Sequence, residues 1–249
     1  MVLVHSIDEV IAQLDQIIAA CARTNSRAGY FACLYRKMTI AVKQGIANGL
    51  FENGLRMERF DVLFANRYLS AFRQHSSGQT CTNAWSHAFD AGLQPYTVIQ
   101  HLLLGMNAHI NLDLGIAAAE VCAGQDIHAL RGDFEKINAV IGSLVNTVQT
   151  DLEDICFPMR FVRFIDNAGK DAVINFSVTL ARKAAWTNAL ALSALPEDNH
   201  PAYISTLDLQ VAQVASNILT PDLSQSLLLR GIRFFEPKEP AKIISFLAD

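Results

Sequence analysis

Residues 98–121, VIQHLLLGMNAHINLDLGIAAAEV, form a run apolar and long enough to cross a bilayer, yet they carry His101, Asn107, His109, Asn111, Asp113 and Glu120. An aspartate at the centre of a span costs about 2.5 to 3.5 kcal/mol even on a lenient insertion scale, so a membrane span is a poor reading. A helix from about Tyr96 to Val121, apolar on nearly every side, must instead be wrapped by other helices. That requirement predicts an all-α protein built around this segment.

The rest of the chain supplies the wrapping. Ser6 and Glu9 have capping-box spacing and open a helix from Ile7 to about Ala22. A second helix runs through YFACLYRKMTIAVKQGIAN to Asn48-Gly49, and a third places Met57, Phe60, Leu63, Phe64 and Tyr68 at helical spacing. CTNAWSHAFDAGL is shorter and stops at Gly92 and Pro95. Beyond the central segment, Leu130, Phe134, Ile137, Ile141, Leu144 and Val148 mark a further long helix closed by Pro158. Residues 158–173 are ambiguous, and two more helices follow, broken by Pro196 and Pro221. The sequence thus predicts one single-domain bundle of about eight helices over 1–249, with 222–249 a loosely packed C-terminal arm.

Composition removes several functions. The net charge of -4 without a basic block excludes the electrostatic footprint of a nucleic-acid binder. Five scattered cysteines with no C-x-x-C pair argue against a disulfide framework and a cysteine-built zinc site, leaving buried free thiols. The opening residues show no secretory pattern, so a cytoplasmic address is expected. No Gly-x-Gly-x-x-Gly, Walker or Gly-x-Ser-x-Gly motif is present.

Chemistry concentrates on the central helix. At about 100° per residue, His101, Gly105, His109 and Asp113 step along one side, and Glu120 returns to it. Gln100, Asn107 and Asn111 form a second polar track opposite. Two of these residues, His109 and Asp113, lie one turn apart and can reach a common cation or each other. Glu58 and Asp61 on the third helix, and His87 and Asp90 on the fourth, each three residues apart, likewise lie about one turn apart on their own helices. Bundle enzymes assemble metal centres from such inward pairs. Surface ion pairing with Arg56, Arg59 and Arg67 explains Glu58 and Asp61 equally well. Arg67, amid apolar neighbours, wants a buried carboxylate, either Asp61 or Asp113, and its pairing with Asp113 would count against a metal. Gly105 is a candidate for leaving room for a bound molecule, and Gly115 for close helix packing.

The blocks GYFACLYRKMT, RMERFDVLFANRYLSAF, HLLLGMNAHINLDLGIAAAE, DFEKIN and ARKAAW resemble an uncharacterised, mostly bacterial domain family of unknown function, over roughly Ile7 to Leu192, with GMNAHINLDL its most specific block. That resemblance implies a helical domain and brings no activity. A weaker one links His109 and Asp113 to the H-x-x-x-D step of the helical zinc phospholipase C and P1-type nucleases. The later histidines and the N-terminal tryptophan of those enzymes have no counterpart here, so the likeness implies a site of one or two metals at most.

Three functional readings compete. In the first, a divalent cation (zinc, manganese or iron) held by His109, Asp113 and a carboxylate from a neighbouring helix activates water against an ester or phosphodiester, with His101 protonating the leaving group. The second is a metal-free helical module that binds an apolar small molecule or lipid and uses the same polar groups as a buried network. In the third, Asp113 orients His109 as a general base without metal.

Overall fold

The computed structural model of the protein describes residues 3–137, 140 and 178–248. Expectations for Ile141, Leu144, Val148, Pro158 and residues 158–173 lie outside them. Among the described residues there are no strands, and ten α-helices are complete, two more than the sequence patterns suggest. They are α1 Ile7–Arg23, α2 Gly29–Ala47, α3 Gly54–Ser76, α4 Asn83–Asp90, α5 Val98–Met106, α6 Leu114–Val121, α7 Val178–Ala194, α8 His200–Leu219, α9 Leu223–Phe235 and α10 Pro240–Ala248. The protein is an all-α helical domain, as the central segment demands.

That segment is a rod in three parts. Between α5 and α6, Asn107–Asp113 turn as a π-helix, so the 24-residue rod is continuous but its inner part is wound more loosely. Of its most apolar window 83% is buried in the protein, as befits a core helix enclosed by others rather than a lipid-facing span. Its two polar tracks face different neighbours. On one side Gln100 donates to Ile218 O (3.1 Å) and Asn107 to Val211 O (2.9 Å), both on α8, while Asn111 donates to Asn107 (2.9 Å). The other side, with His101, His109 and Asp113, meets α2, α3 and α4.

Glycines set how closely the rod is approached. A Cβ on Gly115 would lie 2.6 Å from Ala185 O, so this residue lets α7 cross α6 nearly backbone to backbone. Gly105 does not leave room for a ligand: a Cβ there would overlap the Phe31 ring, which fills the space.

Carboxylates from distant helices close the ends of others. Asp133 accepts from the backbone N–H of Glu52 (2.7 Å) and Asn53 (3.1 Å) and from Arg56 Nη2 (3.0 Å) where α3 begins. Asp208 on α8 takes the N–H groups of Asn83 (2.8 Å) and Ala84 (2.9 Å) at the start of α4, whose own Thr82 makes no cap. Glu236 takes that of Val98 (2.9 Å) at the start of α5. Each places an acceptor on amides that a helix cannot satisfy internally. At α1 the expected box is displaced by one residue, with Ser6 accepting from Glu9 N while Glu9 accepts from His5 N.

The C-terminal segment corrects an expectation. Where the sequence predicts a loose arm over 222–249, the described residues 222–248 form α9 and α10, and Ile243, Ile244 and Leu247 join the main core at 1 to 3% exposure. Pro240 starts α10 instead of breaking it, as its fixed φ permits in a first helical turn.

Candidate functional site

Asp113 is the hub of the rod's inner flank. Its Oδ1 accepts from Arg67 Nε on α3 at 2.9 Å, and its Oδ2 from Trp85 Nε1 on α4 at 2.8 Å. His109 Nδ1 lies 3.4 Å from the same Oδ2. A carboxylate can only accept, so the ring hydrogen belongs on Nδ1, and His109 Nε2 is left as a lone pair. Burial holds His109 below its usual pKa against the opposing pull of Asp113, which keeps the ring neutral near pH 7. Arg67 also reaches Glu120 at 3.6 Å, so both acidic residues of this flank answer to one guanidinium.

Around His109 stands an aromatic wall. Phe64 stacks on the imidazole with centroids 3.5 Å apart and planes 9° from parallel. Tyr35 meets it edge-on at 4.4 Å, Phe31 at 5.6 Å and Tyr68 at 6.2 Å. These rings come from α2 and α3, where aromatics at helical spacing ordinarily pack as core.

Inside this wall several polar atoms find no hydrogen-bond partner among the described residues: His109 Nε2, Tyr68 OH and, nearby in the chain, Asp61 Oδ2, while the Tyr35 hydroxyl is engaged by Thr39. Burial raises both tyrosine hydroxyls well above the ordinary phenol range, so they stay protonated as donors. Burial, assisted by Glu58, raises Asp61 from 3.8 to about 7. Native interiors leave few such groups unpaired, and an orphan in a core invites an explanation by a water or a ligand. The π-helical turn that presents His109 and Asp113 is itself a form found often at functional sites.

The remaining candidates go elsewhere. His101 is buried and neutral, its pKa lowered to about 3 by burial and then by Arg27 and Arg233; its Nε2 is also without a partner, against Tyr30 and Tyr96. His87 is held by Asn83 O at 2.8 Å and by Ser216 Oγ at 3.4 Å, and Asp90 by His75 at 2.9 Å and Ser86 at 3.0 Å. Thus His109 and Asp113 are brought together, while His87 and Asp90 are engaged with other partners. Among the described residues no three His, Cys, Asp or Glu side chains are grouped to hold a metal. Both oxygens of Asp113 already accept from a guanidinium and an indole, so the expected ligand pair does not suit a cation at that carboxylate. Sequence reasoning anticipated Arg67 but missed Trp85, Tyr35 and Tyr68, whose ring polarity is invisible in a hydrophobic pattern.

Fold and site together define a helical bundle whose π-wound core helix carries a histidine–aspartate pair clamped by arginine and tryptophan. The chain belongs to the family described as "Family of unknown function (DUF5995)", whose model matches residues 7–221. No curated protein matches it. No solved structure does either, so nothing supports the likeness to zinc phospholipase C and P1-type nucleases.

Proposed function

We propose that the protein is a metal-free helical module that binds a small, neutral, mostly apolar molecule beside His109. The observation that carries this reading is the pair of buried polar atoms without a partner among the described residues, His109 Nε2 and Tyr68 OH, on rings of one aromatic cluster. His109 offers a lone pair and Tyr68 offers a hydroxyl donor, which suits a hydroxyl-like group able both to donate and to accept. Arg67 balances Asp113 locally, so the site favours no net charge on its guest. Apolar walls with a few convergent polar groups are the usual character of small-molecule sites.

Organic extraction of protein purified without a chelating column, followed by mass spectrometry, should find one small molecule near stoichiometry. It should be lost from His109→Phe and depleted in Tyr68→Phe. Empty extracts, with no change in the His109 ring 15N shift on titration with benzyl alcohol, would overturn the reading. A metal-dependent hydrolase would draw on acceptors without a partner among the described residues, such as His109 Nε2 and Asp61 Oδ2, and near-stoichiometric zinc, manganese or iron lost on His109→Ala would favour it instead.

A further inference from the structure

Helix α9 buries Leu229 and Ile232 but turns Leu223, Leu227, Phe234 and Phe235 outward at 79, 60, 74 and 62% exposure. Leu223, Leu227 and Phe234 share one face with Gly231, and a Cβ built on Gly231 meets nothing within 4 Å. Nothing among the described residues therefore requires a glycine at a mid-helix position where it weakens the helix, whereas close approach of a second backbone would. We propose that this face pairs antiparallel with the same face of a second copy, crossing at Gly231.

Three observations select a second copy as the occupant. Symmetry through Gly231 sets Leu227 opposite the partner's Phe235 and Phe234 opposite the partner's half-buried Leu228, so apolar meets apolar on both sides of the crossing, while Leu223 falls opposite the partner's Glu239 at the periphery. The ends match in charge. Asp222 caps the start of α9 by accepting from Gln225 N, and Lys238 Nζ binds the closing carbonyls of Arg233 and Phe234, so antiparallel pairing brings each acidic end toward a basic one. Taking aromatic side chains at 150 to 250 Å², the four exposed residues offer roughly 500 Å² per copy, more than half of the about 800 Å² each partner gives to a standard interface. Arg230 is exposed on the same side and lies laterally, where it can remain in water.

Sedimentation velocity on the full chain at about 1 to 100 µM should show a species of twice 27.4 kDa. The variant Leu227→Glu/Phe234→Glu should raise the dissociation constant at least about 30-fold, as loss of central anchors does, with an unchanged circular dichroism spectrum because both residues lie outside the core. Gly231→Gln, which improves helix propensity but blocks the crossing, should also weaken the dimer without unfolding the monomer. A monomer throughout that range overturns the proposal, as does a dimer indifferent to both variants. Flotation of the monomer with phosphatidylserine vesicles, abolished by the same substitutions, would assign the face to a bilayer and overturn it too.

Discussion

Arg67 and Trp85 decide what Asp113 is able to do. With both oxygens engaged, the carboxylate is a fixed electrostatic anchor that orients His109. Removing the guanidinium leaves a buried acid without its counter-charge, so Arg67→Met should destabilise by about 2 to 3 kcal/mol in urea unfolding, below the full buried-pair cost because Arg67 is partly solvated. Trp85→Phe removes one charge-assisted hydrogen bond and should cost about 1.5 to 3 kcal/mol. Asp61 makes a prediction in pH. Its folded value of about 7 lies above the ordinary 3.8, so between those values the folded chain holds the extra proton and stability falls as pH rises, levelling above about 7. Asp61→Asn should therefore gain on the parent by about a few kcal/mol between pH 4 and pH 8. A gap that stays constant over this range would show that Asp61 ionises in the fold as it does in water. His101 acts oppositely. Its folded value near 3 lies below 6.5, so its burial costs stability as pH falls through that interval, and His101→Gln should unfold at lower pH than the parent.

At the scale of elements, capping is carried out across the tertiary structure. Asp208→Ala should lower stability by about 1 to 2 kcal/mol and raise amide exchange first at Asn83 and Ala84, since α4 has no side-chain cap of its own. Exchange unchanged at those amides would mean that water replaces the carboxylate without loss. Helix identities were largely legible: period and breakers located α1 to α4 within a few residues, and the two polar tracks of the rod face separate neighbours as their spacing implies. The π-turn was not legible, because Asn107–Asp113 has the composition of an ordinary buried helix and the extra residue per turn depends on what packs around it.

For the whole molecule, the last two helices matter more than their sequence suggests. The family match ends at residue 221, yet α10 buries Ile243, Ile244 and Leu247, and Glu236 caps α5. Deleting 222–249 should lower the melting temperature by at least about 10 °C, as loss of three buried aliphatic side chains alone costs several kcal/mol. A truncated chain that melts with the parent would make these helices dispensable. Sequence alone determined that the chain is all-α, that residues 98–121 are enclosed by other helices, and that His109 and Asp113 share a flank. These follow from periodicity and the cost of exposing apolar surface, which act locally along the chain. Only the tertiary structure decided which partners the polar groups take. Asp113 finds Arg67 from 46 residues away and Trp85 from 28, and a hydrogen bond between such distant groups depends on how helices cross, a property no local pattern contains.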